Sequence, residues 1–281
     1  MKPGSESKTA VLVCMGRALA DRDPALADFS DPTAFALLPD EARRRVERIA
    51  SQGAASGLKN AIEHGFLVRQ SKIMAARTLE IDAAIVDAAA PQVVILGAGL
   101  DGRAWRMSAL KDVTVFEVDH PDSQAAKRKR VAALEKASRD VCFVPVDFAK
   151  DDLDQALAAA GHDPQRPTTW VWEGVVMYLT RSAIEATLAV IARRAAKGSC
   201  LIVLYHRPAL VLRLLGPIVS FLGEPLRSVF RPEGLRALLA EHGFEVARDR
   251  SVAEIGLSIS AELGAATKVA GHLAIAVAQR S

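Results

Sequence analysis

From residue 92 onward, short apolar runs alternate with longer stretches of helical spacing, and this alternation limits the possible folds more than any other feature. The run Val93-Val94-Ile95-Leu96 ends at Gly97, as expected for a short strand that is buried on both faces. Further strands are predicted at residues 113–118, 141–146, 169–172, 200–205, 244–250 and 272–278. Helical stretches separate them at residues 123–136, 152–160, 181–196 and 232–242. This order predicts an α/β fold with a doubly wound, mainly parallel, seven-stranded sheet.

The part of the chain before about residue 90 shows helices and loops only. Pro24, Pro32 and Pro39 interrupt it, and helical spacing follows at residues 41–49 and 75–88. We therefore expect a single domain over residues 1–281, in which residues 1–90 form a helical cap or lid and residues 91–281 form the sheet core. Residues 207–230, which contain an apolar stripe at helical spacing, are a candidate lid insertion.

The composition argues against several classes of protein. A formal net charge of +3, with Lys and Arg spread along the chain, does not require a nucleic-acid partner. The one basic run, residues 127–130, lies in a predicted helix, where a solvated face is the preferred interpretation. The most apolar region, residues 201–222, is interrupted by charged residues, glycine and proline, so no membrane-spanning segment is expected. The cysteines are far apart, and the N-terminus lacks the apolar segment of a signal peptide. We expect a cytoplasmic monomer or homodimer that binds neither nucleic acid nor metal.

The loop after the first predicted strand is the first candidate for a ligand site. It reads Gly97-Ala98-Gly99-Leu100-Asp101-Gly102 and lies where open α/β sheets bind their ligands. Its glycines let the backbone turn sharply into the next helix and approach a ligand closely. By itself the loop is weak evidence, because a tight turn between a strand and a helix can have the same sequence without any ligand.

Acidic residues at the ends of the next two strands strengthen this interpretation. The second strand ends with Glu117 and Asp119, about 20 residues beyond the glycine loop, where nucleotide-binding sheets hold ribose hydroxyls. Both acids lie on one face of the strand, and Asp119, its terminal residue, is the preferred ribose ligand. Asp147 follows the third strand in the same way. The three strand ends together predict a site for a ligand that contains a nucleoside.

Two kinds of nucleotide ligand satisfy this spacing. A nicotinamide dinucleotide fits the glycine fingerprint and would make the protein an NAD(P)-binding oxidoreductase. However, Asp101 would repel a pyrophosphate at the helix N-terminus, whereas it suits the ammonium and sulfonium groups of S-adenosyl-L-methionine. The dinucleotide also leaves Glu173, at the end of the fourth strand, without a function. The sequence therefore favours S-adenosyl-L-methionine.

The same residues resemble those of the leucine carboxyl methyltransferase-like family, and more closely its bacterial branch of S-adenosyl-L-methionine-dependent methyltransferases. The resemblance runs from about residue 71 to residue 205. Three segments carry it: residues 93–101 with Arg103, residues 116–121, and residues 170–179, of which the last is the most specific. It implies a class I methyltransferase fold, which is Rossmann-like, and S-adenosyl-L-methionine as the cofactor.

The resemblance also implies roles for individual residues. Arg77 corresponds to the arginine that meets the methionine carboxylate, and Glu173 lies near the methionine amino group. Gly97 lines the methionine portion, and Asp119 holds the ribose. The other residues expected at the cofactor are Ala98, Gly99, Asp101, Asp147 and Phe148, with the last two beside the adenine.

The resemblance does not identify the methyl acceptor. Methyl transfer from a sulfonium is a direct displacement that depends mainly on alignment of the reacting groups. A carboxylate is already ionised near neutral pH, whereas a phenol or alcohol needs a base, for which His206 and Tyr178 are the candidates. Because candidate bases are few, we expect O-methylation of a small-molecule carboxylate in preference to a phenol or alcohol. A non-catalytic scaffold that binds S-adenosyl-L-methionine is a further alternative.

Overall fold

The computed structural model describes residues 7–52, 57–148, 150–209 and 226–281. The helices of the N-terminal part are α1 (Lys8–Ala20), α2 (Pro32–Leu37), α3 (Asp40–Gln52) and α4 (Leu58–Ala88). The strands are β1 (Gln92–Leu96), β2 (Thr114–Asp119), β3 (Asp140–Pro145), β4 (Thr168–Trp172), β5 (Cys200–His206), β6 (Phe244–Ser251) and β7 (Leu273–Arg280). The later helices are α5 (Arg103–Arg106), α6 (Pro121–Val131), α7 (Leu153–Ala159), α8 (Arg181–Arg194), α9 (Pro232–Glu241), α10 (Val252–Ile259) and α11 (Ala261–Thr267).

The seven strands form one sheet in the order β3-β2-β1-β4-β5-β7-β6. Strands β1 to β5 are parallel to one another, and β7 pairs antiparallel with both β5 and β6. The predicted α/β fold, with its mainly parallel seven-stranded sheet, is confirmed. The direction of the strand order reverses between β1 and β4, so the carboxyl ends of these two strands border the crevice where such sheets bind ligands.

Helices cover both faces of the sheet, and the alternation of side chains along each strand separates two cores. Val93 and Ile95 of β1 belong to the core that includes α1 to α4, whereas Val94 and Leu96 belong to the core that includes α7, α8 and α9. Every residue of β1 is buried for this reason, which explains its continuous apolar sequence. The predicted N-terminal helical cap is thus present, and it packs on one face of the sheet.

Several helix boundaries differ from the prediction because contacts elsewhere in the chain determine them. Helix α4 begins 17 residues before the predicted residue 75 and contacts α1, α10 and α11 along its length. Helix α6 ends at Val131 although helical spacing continues to residue 136. The reason is that the backbone N–H groups of Ala137 and Ser138 both donate to the carbonyl oxygen of Ala104, which pulls the chain away from the helix axis.

Part of the predicted organisation lies outside the described residues. The candidate lid insertion covers residues 207–230, and of these the structure describes only residues 207–209 and 226–230. Within the ranges that are described, no helix is long and apolar enough to span a membrane.

A buried ion pair joins β2 to α6 beneath the carboxyl edge of the sheet. Nζ of Lys127 lies 2.7 Å from Oε2 of Glu117, and the two side chains are each about 1% exposed. Burial raises the pKa of Glu117 to about 7, although the Lys127 ammonium acts in the opposite direction. Removing one partner of such a pair leaves the other in an environment that penalises its charge.

We expect Lys127→Met to lower the free energy of unfolding by about 3–5 kcal/mol, measured by urea denaturation. Without the ammonium, the folded-state pKa of Glu117 moves further above its unfolded value, so the folded state binds more protons and the variant loses further stability as the pH rises. The deficit relative to wild type should therefore be larger at about pH 8 than at about pH 6. Lys129→Met, on the exposed side of the same helix, is the control and should change stability by less than about 0.5 kcal/mol. Similar, pH-independent losses in both variants would contradict this account.

Candidate active site

A cavity of about 200 Å³ lies at the carboxyl ends of β1 and β4, at the point where the strand order reverses. Its described lining comes from the start of the chain and α1, from α4, from β1 and the glycine loop, from the end of β2 and the start of α6, and from the segment after β4. The lining residues are Ser7, Thr9, Ala10, Val13, Arg17, Arg77, Ile95, Gly97, Ala98, Gly99, Leu100, Asp101, Asp119, Ser123, Glu173, Gly174, Val175 and Tyr178. The cavity therefore contains most of the residues that the sequence singles out.

The backbone of the glycine loop is positioned by β2 and by close packing against the segment after β4. The N–H groups of Gly97 and Ala98 both donate to the carbonyl oxygen of Val118, at 2.8 and 3.0 Å. Gly97 has φ +70°, and a Cβ atom added there would lie 2.3 Å from Cγ2 of Val175. Only glycine fits this backbone conformation and this contact without rearrangement.

Of the two acids near the end of β2, only Asp119 lines the cavity. Its carboxylate accepts hydrogen bonds from the backbone N–H groups of Gly99 and His120, the latter at 2.6 Å. Burial raises the pKa of Asp119, and these two hydrogen bonds oppose the rise. Glu117, which strand alternation places on the same face, is instead fully buried against Lys127. Asp119 thus connects the glycine loop to the end of β2 and presents its carboxylate to the cavity.

Charged side chains from four parts of the chain meet at one end of the cavity. Nε of Arg77, in α4, lies 2.8 Å from Oε1 of Glu173, which follows β4. Nη1 of Arg103, at the start of α5, lies 2.8 Å from Oε2 of Glu173 and also pairs with Asp101. Asp101 therefore already has a cationic partner, so a positively charged ligand would share this carboxylate with Arg103. The cavity offers both a guanidinium and a carboxylate to a ligand that carries both charges.

The ion pairs continue below the cavity towards the N-terminal helices. Asp82, in α4, binds both Arg103 at 2.7 Å and Arg106 at 2.6 Å. Arg106 also lies 3.5 Å from Asp31, and Arg17 of α1 lies at the same distance from Asp31. The sequence analysis identified none of these links, because the partners are separated by up to about 75 residues and follow no periodic pattern.

Helix α1 packs directly on the glycine loop. The guanidinium of Arg17 donates to the carbonyl oxygen of Leu100, and Cβ of Ala10 would lie 3.2 Å from a Cβ added at Gly99. The first turns of α1 therefore form one wall of the cavity. The sequence analysis assigned these residues only to a helical cap and did not place any of them at the glycine loop.

Three of the predicted site residues are absent from the described lining of the cavity. Asp147 lies just beyond β3 and pairs with the exposed Lys150 at 2.9 Å, while Phe148 packs against the core on the side of α7 and α8. His206, at the end of β5, stacks on His272 with ring centroids 5.4 Å apart. Burial lowers the pKa of His206 to about 4, and His272 and Arg77 act in the same direction.

Tyr178, the other candidate base, does line the cavity. Within the described part of the chain, no cluster of histidine, cysteine and acidic side chains could hold a metal ion.

The chain matches the leucine carboxyl methyltransferase family over residues 10–192. A Streptomyces coelicolor protein is 32% identical over 276 residues, which cover 90% of this chain and 89% of the relative. A Mycolicibacterium smegmatis protein is 32% identical over 249 residues, which cover 86% of this chain and 74% of the relative. Both relatives carry names that describe S-adenosyl-L-methionine-dependent methyltransferases.

Solved structures resemble the chain in fold. A DUF574-family protein of Streptomyces avermitilis has a TM-score of 0.58 at 13% identity, covering 95% of this chain and 97% of its own. An O-methyltransferase family protein of Burkholderia thailandensis has a TM-score of 0.50 at 14% identity, covering 83% of this chain and 62% of its own. These similarities establish the fold, which is that of class I methyltransferases.

We expect Gly97→Ala to weaken binding of S-adenosylhomocysteine, measured by calorimetry, at least about tenfold. The added methyl group would collide with Val175, and the positive φ of Gly97 would strain any other residue, so the loop must move.

Gly161→Ala is the matched control for backbone strain. Gly161 also has a positive φ, +87°, but it lies on the surface with nothing within 4 Å of an added Cβ. This variant should bind S-adenosylhomocysteine like the wild type. Unchanged affinity in Gly97→Ala would show that the glycine loop does not contact the cofactor.

Proposed function

Because the chain belongs to the leucine carboxyl methyltransferase family, we propose that it methylates the oxygen of a small-molecule carboxylate. The chain is an S-adenosyl-L-methionine-dependent methyltransferase, as its family and its relatives indicate. The acceptor and the roles of individual residues are the parts that we infer from the cavity. The nicotinamide-dependent oxidoreductase that the glycine spacing also allowed finds no support in these relatives.

The charges of the cavity suit the methionine portion of the cofactor. We assign the α-carboxylate to Arg77 and the α-ammonium to Glu173, because the two side chains already form a complementary pair at 2.8 Å. A zwitterionic amino acid group can replace that pair without leaving either side chain uncompensated. Gly97, which also lines the cavity, lets the loop pack closely against Val175 beside these charges.

We assign the ribose hydroxyls to Asp119, the acid of β2 that reaches the cavity. A carboxylate has about four lone-pair sites, so Asp119 can accept from a ribose while it still holds the backbone N–H groups of Gly99 and His120. Asp147 and Phe148 follow β3, the neighbour of β2, and remain our candidates for the adenine end. When bound, the cofactor supplies an electrophilic methyl group on a sulfonium.

The side chains that line the cavity favour a carboxylate acceptor. The acids among its described lining residues, Asp101, Asp119 and Glu173, are all hydrogen-bonded or ion-paired, and this lining contains no histidine. Tyr178 is its only aromatic hydroxyl. A carboxylate acceptor is ionised near neutral pH and needs no base, whereas an alcohol does. These walls therefore suit an acceptor that arrives already ionised.

We further propose that the whole chain acts as one domain, with α1 as the part of the N-terminal cap that shields the reaction. Its residues line the cavity, and Arg17 holds it on the glycine loop. Excluding water from the sulfonium and the nucleophile strengthens the electrostatic interactions in the site and prevents loss of the methyl group to solvent.

Transfer of a labelled methyl group to matched acceptor panels tests this proposal. Each panel pairs a carboxylic acid with the alcohol and the phenol of the same skeleton. We expect label in a product that mild alkali hydrolyses to methanol, because esters are labile and ethers are not. The turnover number should stay constant between about pH 6.5 and pH 8.5, since the acceptor is ionised throughout.

His206→Gln is the variant that distinguishes the two acceptor classes. With a carboxylate acceptor it should retain the wild-type turnover number to within about threefold. An alkali-stable product, together with a loss of about 100-fold or more in His206→Gln, would contradict the proposal and identify a hydroxyl acceptor with His206 as its base. Binding of S-adenosylhomocysteine without transfer to any acceptor would favour the non-catalytic scaffold.

A further inference from the structure

Arg103 occupies the centre of the buried charges beneath the cavity. It is the first residue of α5, directly after the glycine loop, and its side chain is 1% exposed. Its Nε atom lies 2.7 Å from Asp82, and its Nη1 atom contacts both Asp101 and Glu173, the latter at 2.8 Å. Its backbone N–H also donates to Asp101 at 2.8 Å. One guanidinium thus joins carboxylates from α4, from the glycine loop and from the segment after β4.

Two of these three carboxylates line the cavity, while Arg103 itself does not. The planar guanidinium directs its N–H groups along fixed directions, so it determines where each carboxylate can lie. A lysine ammonium has the same charge but cannot span three carboxylates in fixed directions. Arg103→Lys therefore keeps the charge of residue 103 but removes its capacity to orient the groups around it.

We propose that Arg103 is a positioning residue, which holds Asp101 and Glu173 ionised and directed into the cavity for the α-ammonium of S-adenosyl-L-methionine. This inference rests on our assignment of that ammonium to Glu173. Arg103 acts through the two carboxylates and makes no contact with the cofactor. Arg103 keeps both carboxylates ionised and oriented before the ligand binds. Binding therefore does not require these acids to reorganise or to lose a proton.

The electrostatic surroundings show why these acids depend on Arg103. Burial by itself raises the pKa of Asp101 and of Glu173, and nearby cations reverse the effect, so that both pKa values lie below their usual range. For Asp101 the cations are Arg103, Arg17 and Lys127, and for Glu173 they are Arg77 and Arg103. The other charged or titratable groups around this cluster are Asp31, Asp82, Arg106, Glu117, Asp119 and His206. Of these cations in the described part of the chain, Arg103 alone lowers the pKa of both acids.

Arg106 provides a matched control. It lies one turn further along α5, its side chain is 6% exposed, and it binds two carboxylates, Asp31 and Asp82. Neither of these acids lines the cavity. We therefore expect Arg103→Lys and Arg106→Lys to disturb the fold to a similar extent. Only Arg103→Lys should disturb the acids of the cofactor site.

The experiment compares Arg103→Lys and Arg106→Lys in their affinity for S-adenosylhomocysteine at about pH 8 and pH 5.5. We expect Arg103→Lys to bind roughly tenfold more weakly than wild type at the higher pH, because the remaining ammonium cannot orient both acids. The deficit should grow by a further factor of roughly ten at the lower pH. Arg103→Lys keeps the positive charge but loses the hydrogen bonds that Nη1 of Arg103 donates to Asp101 and Glu173. Because these hydrogen bonds favour the ionised acids, their loss raises both pKa values, so the acids take up protons as the pH falls and lose their attraction for the ammonium.

Arg106→Lys should bind within about threefold of wild type at both pH values. The raised pKa of Asp119 affects wild type and both variants alike, so it cancels in the comparison. Equal losses in the two lysine variants, or a loss in Arg103→Lys that does not change with pH, would overturn the positioning role. Urea denaturation of the same proteins reports how much of any loss comes from stability.

Two further variants distinguish a wrong assignment of the ammonium from a wrong positioning role for Arg103. Glu173→Gln should lose at least as much affinity as Arg103→Lys, and full affinity in Glu173→Gln would show that our assignment of the ammonium is wrong. A loss in Glu173→Gln together with a pH-independent Arg103→Lys would leave that assignment intact and overturn only the positioning role. If Arg103→Lys does not fold, Asp82→Asn releases the Nε side of the guanidinium, and it should bind at least about threefold more weakly than Arg106→Lys.

Discussion

The packing of the N-terminal helices on the sheet depends on a connected set of buried ion pairs. Its members lie on α1, just before α2, on α4 and α5, in the glycine loop and in the segment after β4, and each is at most 17% exposed; they are Arg17, Arg77, Arg103, Arg106, Asp31, Asp82, Asp101 and Glu173. Removing charges from water is costly, so each of these groups requires its partner. The N-terminal helices therefore cannot move far from the sheet without leaving buried charges uncompensated, and the cavity wall formed by α1 is tied to the glycine loop.

The same ion pairs suit the cofactor of the family. Its amino acid group carries one positive and one negative charge, and the cavity presents Arg77 and Glu173 as a matching pair. Direct displacement of a methyl group from sulfur depends mainly on alignment of the reacting groups and on exclusion of water. Rigid placement of a few charged groups, together with a glycine loop that admits close approach, suits those demands.

The sequence predicts the sheet well, because buried parallel strands require continuous apolar runs and the strand ends carry glycine or acid. It predicts helix ends less well, since contacts such as those of Ala137 and Ser138 with Ala104 decide where α6 stops. Asp119 follows from its strand position, whereas Arg77 enters only through the family resemblance. The links of Arg17, Asp31 and Asp82 could not be predicted, because ion pairs between distant segments have no local periodicity. The same holds for the burial of Glu117 against Lys127, which one strand's alternation does not reveal.

We infer that the cavity between α1, the glycine loop and Glu173 holds the amino acid and ribose portions of S-adenosyl-L-methionine. A crystal structure with S-adenosylhomocysteine tests it most directly. We expect the α-carboxylate within hydrogen-bonding distance of Arg77, the α-ammonium beside Glu173, and the ribose hydroxyls on Asp119. A bound ligand whose ribose lies away from Asp119, or whose amino acid group contacts neither Arg77 nor Glu173, would contradict it.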